Sequence, residues 1–168
     1  MTNNDILRRL RYTFDFDDSK MIAVFAAANS RVTRSQVSNW LKKGDDPEFE
    51  ECGDRQLATF LNGLINDRRG TKDGEQPEPE HLLNNNIIFR KLKIALDLKA
   101  DDILRLLAAS DVHISKHELS AFFRKPDHKH YRQCKDQILR NFLNGVQLEY
   151  RDGRPQQDDS SATAGQAS

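Results

Sequence analysis

Apolar residues recur along this chain at helical spacing, and the same arrangement of them occurs twice. Ile6, Leu10 and Phe14 fall at i, i+4 and i+8, as do Ile88, Leu92 and Leu96, so each set predicts one stripe of an amphipathic helix. A second helix is predicted from Met21, Ile22, Val24, Phe25 and Ala28, and again from Ile103, Leu104, Leu106 and Leu107. The third helix has the clearest start. Thr33-x-x-Gln36 and Ser115-x-x-Glu118 are capping boxes, in which a hydroxyl takes the N3 amide and the N3 side chain reaches back. Each box carries a hydrophobic staple, Val32 with Val37 and Ile114 with Leu119. The fourth helix is expected to open at Asp54 and Asp136 as N-caps and to run through Phe-Leu-Asn-Gly at 60–63 and 142–145. The Asn-Asn pairs at 3–4 and 85–86 are expected to cap the first helix of each set.

A shift of 82 residues superposes 3–69 on 85–151 without a gap, with roughly 19 of about 67 positions identical. Changed positions keep their class: Val24/Leu106, Val32/Ile114, Trp40/Phe122 and Phe49/Tyr131. The fold class is therefore all-α, two tandem copies of a four-helix module forming a pseudo-symmetric helical body. The modules span 1–70 and 84–153. Between them, 71–83 reads as an acidic linker containing GTKDGEQPEPE, which is not expected to pack as an element. Residues 154–168 have almost no apolar content and read as a disordered tail.

Four strings, NNDILRRLRYTF, FLNGLINDRRG, NNNIIFRKLKIAL and KPDHKHYRQCKDQILRNFLNG, together resemble the bacterial YehS-like proteins. That is a duplicated family catalogued as a domain of unknown function. The resemblance covers about residues 3 to 150. It implies a bacterial cytosolic setting, and it brings no activity and no catalytic residues.

Composition narrows the classes of function. In 168 residues the 26 Lys and Arg balance the 26 Asp and Glu, which argues against a strong binder of nucleic acid or membrane surface. No apolar run approaches a membrane span, and the polar start MTNNDILRR lacks a signal-peptide core. Two cysteines are too few for a disulfide scaffold, so the expectation is a reduced, cytoplasmic protein.

Several constellations are candidates for contact. MIAVFAAANSRVTRSQVSNWLKK resembles a helix-turn-helix, with Arg34, Ser35, Ser38, Asn39 and Lys42 outward. Its copy offers Lys116, His117, Ser120 and Arg124. The turn, however, is long and lacks a glycine, and Val37, Trp40 and Leu41 read as a core stripe. Arg8, Arg9 and Arg11 match Arg90, Lys91 and Lys93 on the first helices, where i, i+3 cations could clamp an anion. The plainer expectation is that they cover the core edge or pair with Asp15 and Asp97. The loops after the third helices differ in sign. The first carries Asp45, Asp46 and Glu48, the second Asp127, His128, Lys129, His130 and Arg132. Residues 84–153 accordingly hold 13 basic and 9 acidic residues, against 11 and 11 in 1–70.

Other chemistry is thinner. His113, His117, His128, His130, Asp127 and Cys134 lie close in sequence, but His113 precedes the cap at Ser115, so no metal is expected. Cys52 and Cys134 precede a helix start, which can activate a thiol, although a buried anchor is the expectation. Gly63 and Gly145 suggest close helix approach where the modules meet. No Walker loop, dinucleotide turn, G-x-S-x-G or H-E-x-x-H is present, so neither catalysis nor a cofactor is expected. The function expected is a non-catalytic cytosolic binding or adaptor protein of unknown ligand, with a protein partner or self-association, nucleic acid as a further candidate and no membrane contact. A DNA-binding regulator is the alternative.

Overall fold

A computed structural model describes residues 1–153. The reading of 154–168 as a disordered tail lies outside the described residues. Eight α-helices follow one another: α1 (Asn3–Thr13), α2 (Asp18–Ala27), α3 (Arg34–Leu41), α4 (Asp54–Arg69), α5 (Asn85–Ala95), α6 (Ala100–Ala108), α7 (Lys116–Ala121) and α8 (Asp136–Gln147). A π-helical turn, Leu148–Asp152, prolongs α8 where its counterpart α4 runs straight on. Among the described residues there is no strand, and no helix is long and apolar enough to cross a membrane.

The capping boxes form as their spacing predicts. Thr33 and Ser115 accept from the amides of Gln36 and Glu118 at 3.1 and 3.0 Å, and both N3 side chains accept in return. Two other starts differ from expectation. Thr2 and Asn84 cap the first helix of each module, and the Asn-Asn pairs lie inside its first turn. Gly53 and Lys135 precede α4 and α8, so Asp54 and Asp136 are first-turn residues rather than N-caps. These polar side chains fall one or two residues too late to cap and are turned to tertiary partners instead.

Chain reversals repeat as well. Asp15, Asp97, Asn29 and Asp111 all have φ between 53 and 60°, and the next residue's amide closes a Schellman motif in each case. Aspartate and asparagine tolerate this left-handed geometry better than other non-glycine residues.

Both cores hold the same volume in different places. Module 1 buries Leu7 on α1 and Phe25 on α2. Module 2 reverses them, with Phe89 on α5 and Leu107 on α6. Phe25 meets Phe60 of α4 with ring centroids 5.3 Å apart, and Phe89 meets Phe142 of α8 at 4.6 Å. A large residue facing a small one fills the same space whichever helix carries the ring, which close packing demands. Gly63 and Gly145 sit where α4 crosses α2 and where α8 crosses α6. The close approach is thus inside each module, not between modules as the sequence suggested.

The modules face each other across a pseudo-twofold axis, α4 against α5 and α8 against α1. Equivalent residues make reciprocal contacts, as an isologous interface requires. Lys91 donates to Asn62 Oδ1 at 2.6 Å, and Arg9 donates to Asn144. Arg69 pairs with Asp97 at 2.6 Å, and Arg151 pairs with Asp15 at 3.1 Å. On the axis the equivalent residues Arg68 and Tyr150 meet each other, the guanidinium 5.7 Å from the ring centroid. Asp15 and Asp97 therefore pair across the interface with the ends of the fourth helices, not with the first-helix cations of their own modules.

Candidate functional site

The surfaces available for recognition start from a repeated asparagine. Asn4 is buried, and its Nδ2 donates to the carbonyls of Trp40 and Glu50, both at 2.9 Å, while its Oδ1 accepts from the Cys52 amide at 3.0 Å. Asn86 repeats the bracket on Phe122, Arg132 and Cys134 at 3.0, 2.8 and 2.9 Å. Asn3 and Asn85 hold the carbonyls of Cys52 and Cys134 and the carboxylates of Asp54 and Asp136. Each first helix thereby clamps the end of the third helix and the loop that follows it. Asp136, so held by Asn85 and by the Met1 ammonium, has its carboxyl below the ordinary range.

Held this way, the two loops have one shape and opposite chemistry. Asp46 accepts from the Glu48 amide at 2.9 Å, and its counterpart His128 accepts through Nδ1 from the His130 amide at 3.0 Å. Glu50 and Arg132 donate their amides to the carbonyls of Asn39 and Ala121, each at 3.1 Å. In module 1 this frame exposes Asp45 and Glu48, and in module 2 it exposes Asp127, His128, Lys129, His130 and Arg132. The His130 ring lies 6.2 Å from that of His117 and 5.6 Å from that of His128. Beside them His117, Lys129, His130, Tyr131 and Arg132 line a shallow cavity of about 240 Å³.

The third-helix residues are largely engaged with acidic neighbours. Arg34 reaches Ser19 Oγ at 3.2 Å and Asp18 at 3.9 Å, and Lys116 pairs with Asp101 at 3.0 Å. Lys42 is bound by Glu48, which raises its pKa, and by Asn39 at 3.2 Å, while Asn39 also donates to Glu50 at 3.3 Å. Ser38 and Arg124 are half-buried, Arg124 with its Nε unpartnered.

On the first helices the cations do three jobs. Arg8 and Arg90 donate to the carbonyls of Lys42 and Phe123, at 2.7 and 2.5 Å, closing the ends of α3 and α7. Arg9 and Lys91 cross to the other module. Arg11 reaches the Phe16 carbonyl at 3.4 Å, and Lys93 lies over the Phe123 ring at 5.3 Å. Arg8 and Arg11 thus point to different partners and do not clamp one anion together.

Arg8 and Arg9 also line a cleft between α1 and α8, of about 520 Å³, with Asp5, Tyr12, Arg140 and Gln147. Arg140 is exposed and has no ion-pair or hydrogen-bond partner among the described residues. The equivalent groove between α4 and α5 is covered by the linker. There Arg55 holds the Pro79 carbonyl at 3.1 Å and Glu78 at 3.6 Å, Lys91 pairs with Glu80 at 3.0 Å, and the Leu83 amide donates to Asp54 at 2.8 Å. The linker, expected to be unpacked, is seated over its second half.

The description of a family of proteins of unknown function (DUF1456) matches residues 3–70 and again 85–152, the two modules in turn. The chain belongs to this family. It is similar to the uncharacterized protein YehS of Escherichia coli (strain K12), 45% identical over 148 residues, which cover 87% of this chain and 94% of that protein. No solved structure matches.

Both cysteines are inert anchors in this frame. Burial, with Asp54 nearby, pushes the Cys52 thiol up to about 12. Burial is also the main cause for Cys134, opposed by the Leu139 amide, and its pKa too rises to about 12. A nucleophilic thiolate is therefore scarce at neutral pH. We expect a thiol reagent at pH 8 to label neither cysteine in the native chain within minutes, and to label both in strong denaturant. Fast native labelling would contradict the burial. Among the described residues no group of three or more His, Cys, Asp or Glu is arranged to hold a metal ion.

Sequence reasoning did not find the asparagine bracket or the covered groove. The repeat of Asn-Asn at a fixed distance from Cys-x-Asp was the available signal, because a pair kept in both copies and not needed as a cap must serve a tertiary contact.

Proposed function

We propose that the chain is a non-catalytic cytosolic adaptor whose two modules present unequal recognition surfaces on one duplicated scaffold. The observation that carries this is the pair of loops after α3 and α7. They keep the same backbone hydrogen bonds while exchanging acidic side chains for basic and imidazole ones. A loop kept in shape but inverted in charge suits two different contacts, since electrostatic complementarity selects partners. The loops would be rim-type, charged surfaces, so association should weaken as salt rises.

The test is affinity capture from a bacterial extract with the full chain and two loop variants, Asp45→Lys with Glu48→Lys, and Lys129→Glu with Arg132→Glu. Each variant is expected to lose a different subset of the proteins retained by the wild type. Identical sets on all three would sink the proposal. DNA recognition by the third helices is the weaker reading, because Arg34, Lys42 and Lys116 are paired with carboxylates that a phosphate backbone would have to displace. A gel shift at low salt that is abolished by Arg34→Ala plus Lys42→Ala would reverse that order.

A further inference from the structure

The pseudo-twofold axis supplies an internal template for the cleft between α1 and α8. In the α4–α5 groove, residues 76–83 run back along α4 as an acidic segment, from Gln76 on Asn66 at 2.9 Å to Leu83 on Asp54. Lys91 there has two partners, Asn62 from α4 and Glu80 from the linker. Its equivalent Arg9 has the matching amide, Asn144, but no carboxylate among the described residues. The end of the segment is matched too, because the Met1 amino group lies 3.5 Å from Asp136, where the other side has the Leu83 amide on Asp54. Among the described residues nothing covers the corresponding face of α1 and α8, which is a cleft.

The cleft is also charged for such an occupant. Arg8, Arg9 and Arg140 line it with Asp5, which already binds Arg8, and the Asp136 carboxylate lies close enough to Arg140 to feel its charge. In the covered groove the second cation on the linker is Arg55. Its counterpart in α8 is Gln137, and a cation reappears one turn along at Arg140. An arginine fork holds a carboxylate with two donors, so Arg9 and Arg140 can each take one acidic side chain.

We propose that the α1–α8 cleft is a docking groove for an extended acidic segment of a partner protein, bound as the chain's own residues 76–82 are bound in the α4–α5 groove. This names a partner class for the adaptor reading and rests on it, but it uses a different surface from the loops.

The probe is a labelled peptide with the sequence of residues 76–82, Gln-Pro-Glu-Pro-Glu-His-Leu, blocked at both ends and titrated with the full chain by fluorescence anisotropy. Binding is expected at low salt, with Kd rising at least about tenfold in Arg140→Glu and for a peptide with both Glu replaced by Gln; tenfold corresponds to about 1.4 kcal/mol. Arg140 is exposed and makes no ion pair or hydrogen bond among the described residues, so this variant should fold, and a thermal melt checks that it does. Arg55→Ala loosens the chain's own linker and should leave peptide affinity unchanged. Four results would overturn the proposal: equal affinity for the Glu and Gln peptides, no response to Arg140→Glu, tighter binding in Arg55→Ala, or full displacement by millimolar inorganic phosphate. Binding that appears only after residues 154–168 are deleted would assign the groove to the chain's own terminus and also overturn it. None of these outcomes touches the loop variants, so the two readings can fail separately.

Discussion

Gly63→Ala is expected to destabilise the chain by about 3 kcal/mol, at the upper end of what overpacking costs. A Cβ at this position would stand 1.9 Å from the Val24 carbonyl oxygen and 2.8 Å from its carbon, so α2 and α4 would have to move apart. The obstacle is backbone, which cannot rotate away as a long side chain can. Helix propensity alone predicts the opposite sign, a gain of roughly 1 kcal/mol on replacing a helical glycine by alanine. Urea denaturation of the variant decides between them, and a stabilised Gly63→Ala would disprove the packing described here. Gly145→Ala should behave alike, since its Cβ would meet the Leu106 carbonyl oxygen at 2.1 Å.

Asn4→Ala is expected to cost on the order of 3 kcal/mol. The substitution removes three hydrogen bonds at once and leaves the Trp40 carbonyl and the Cys52 amide without their partner. A buried backbone group left unsatisfied costs roughly 1–3 kcal/mol, more than the net worth of the bond that satisfied it. The same variant should loosen the acidic loop specifically, because Glu50 is one of the three groups held. Faster amide exchange at 43–52 than at the equivalent 125–134 is the readout. A loss below about 1 kcal/mol with uniform exchange would show that the bracket is not what fixes the loop. Asn86→Ala should reverse the pattern, loosening the basic loop and sparing the acidic one.

Most of what repeats in this molecule is legible from its residues. Apolar spacing predicts the first two helices of each module, the capping boxes at Thr33 and Ser115 the third, and the Asp start with Phe-Leu-Asn-Gly the fourth, and all eight form. These features are local: a helix stripe and a cap involve residues three or four apart, so the pattern carries them. The candidate surfaces were legible only in part. The inverted charge of the two post-helix loops is visible in composition, but their shared shape depends on Asn4 and Asn86, 46 residues from the carbonyls of Glu50 and Arg132. Capping was the local explanation for those asparagines, and it fails because Thr2 and Asn84 already fill that role. The first-helix cations were read as one group, yet Arg8 serves its own module, Arg9 the other, and Arg11 a nearby carbonyl.

By itself, then, the sequence determined a duplicated four-helix module, its register of 82 residues, and the unequal charge of its loops. Those follow from short-range periodicity and from identity between copies. The tertiary structure decided how the copies meet. Reciprocal pairs such as Arg69–Asp97 and Arg151–Asp15 exist because a twofold axis makes each contact twice, and nothing local in either copy states where that axis lies. It also decided that the linker covers one of two equivalent grooves, while among the described residues nothing covers the other. The physical reason is that a groove belongs to two helices distant in sequence, and its charge is the sum of residues that only the packing brings together.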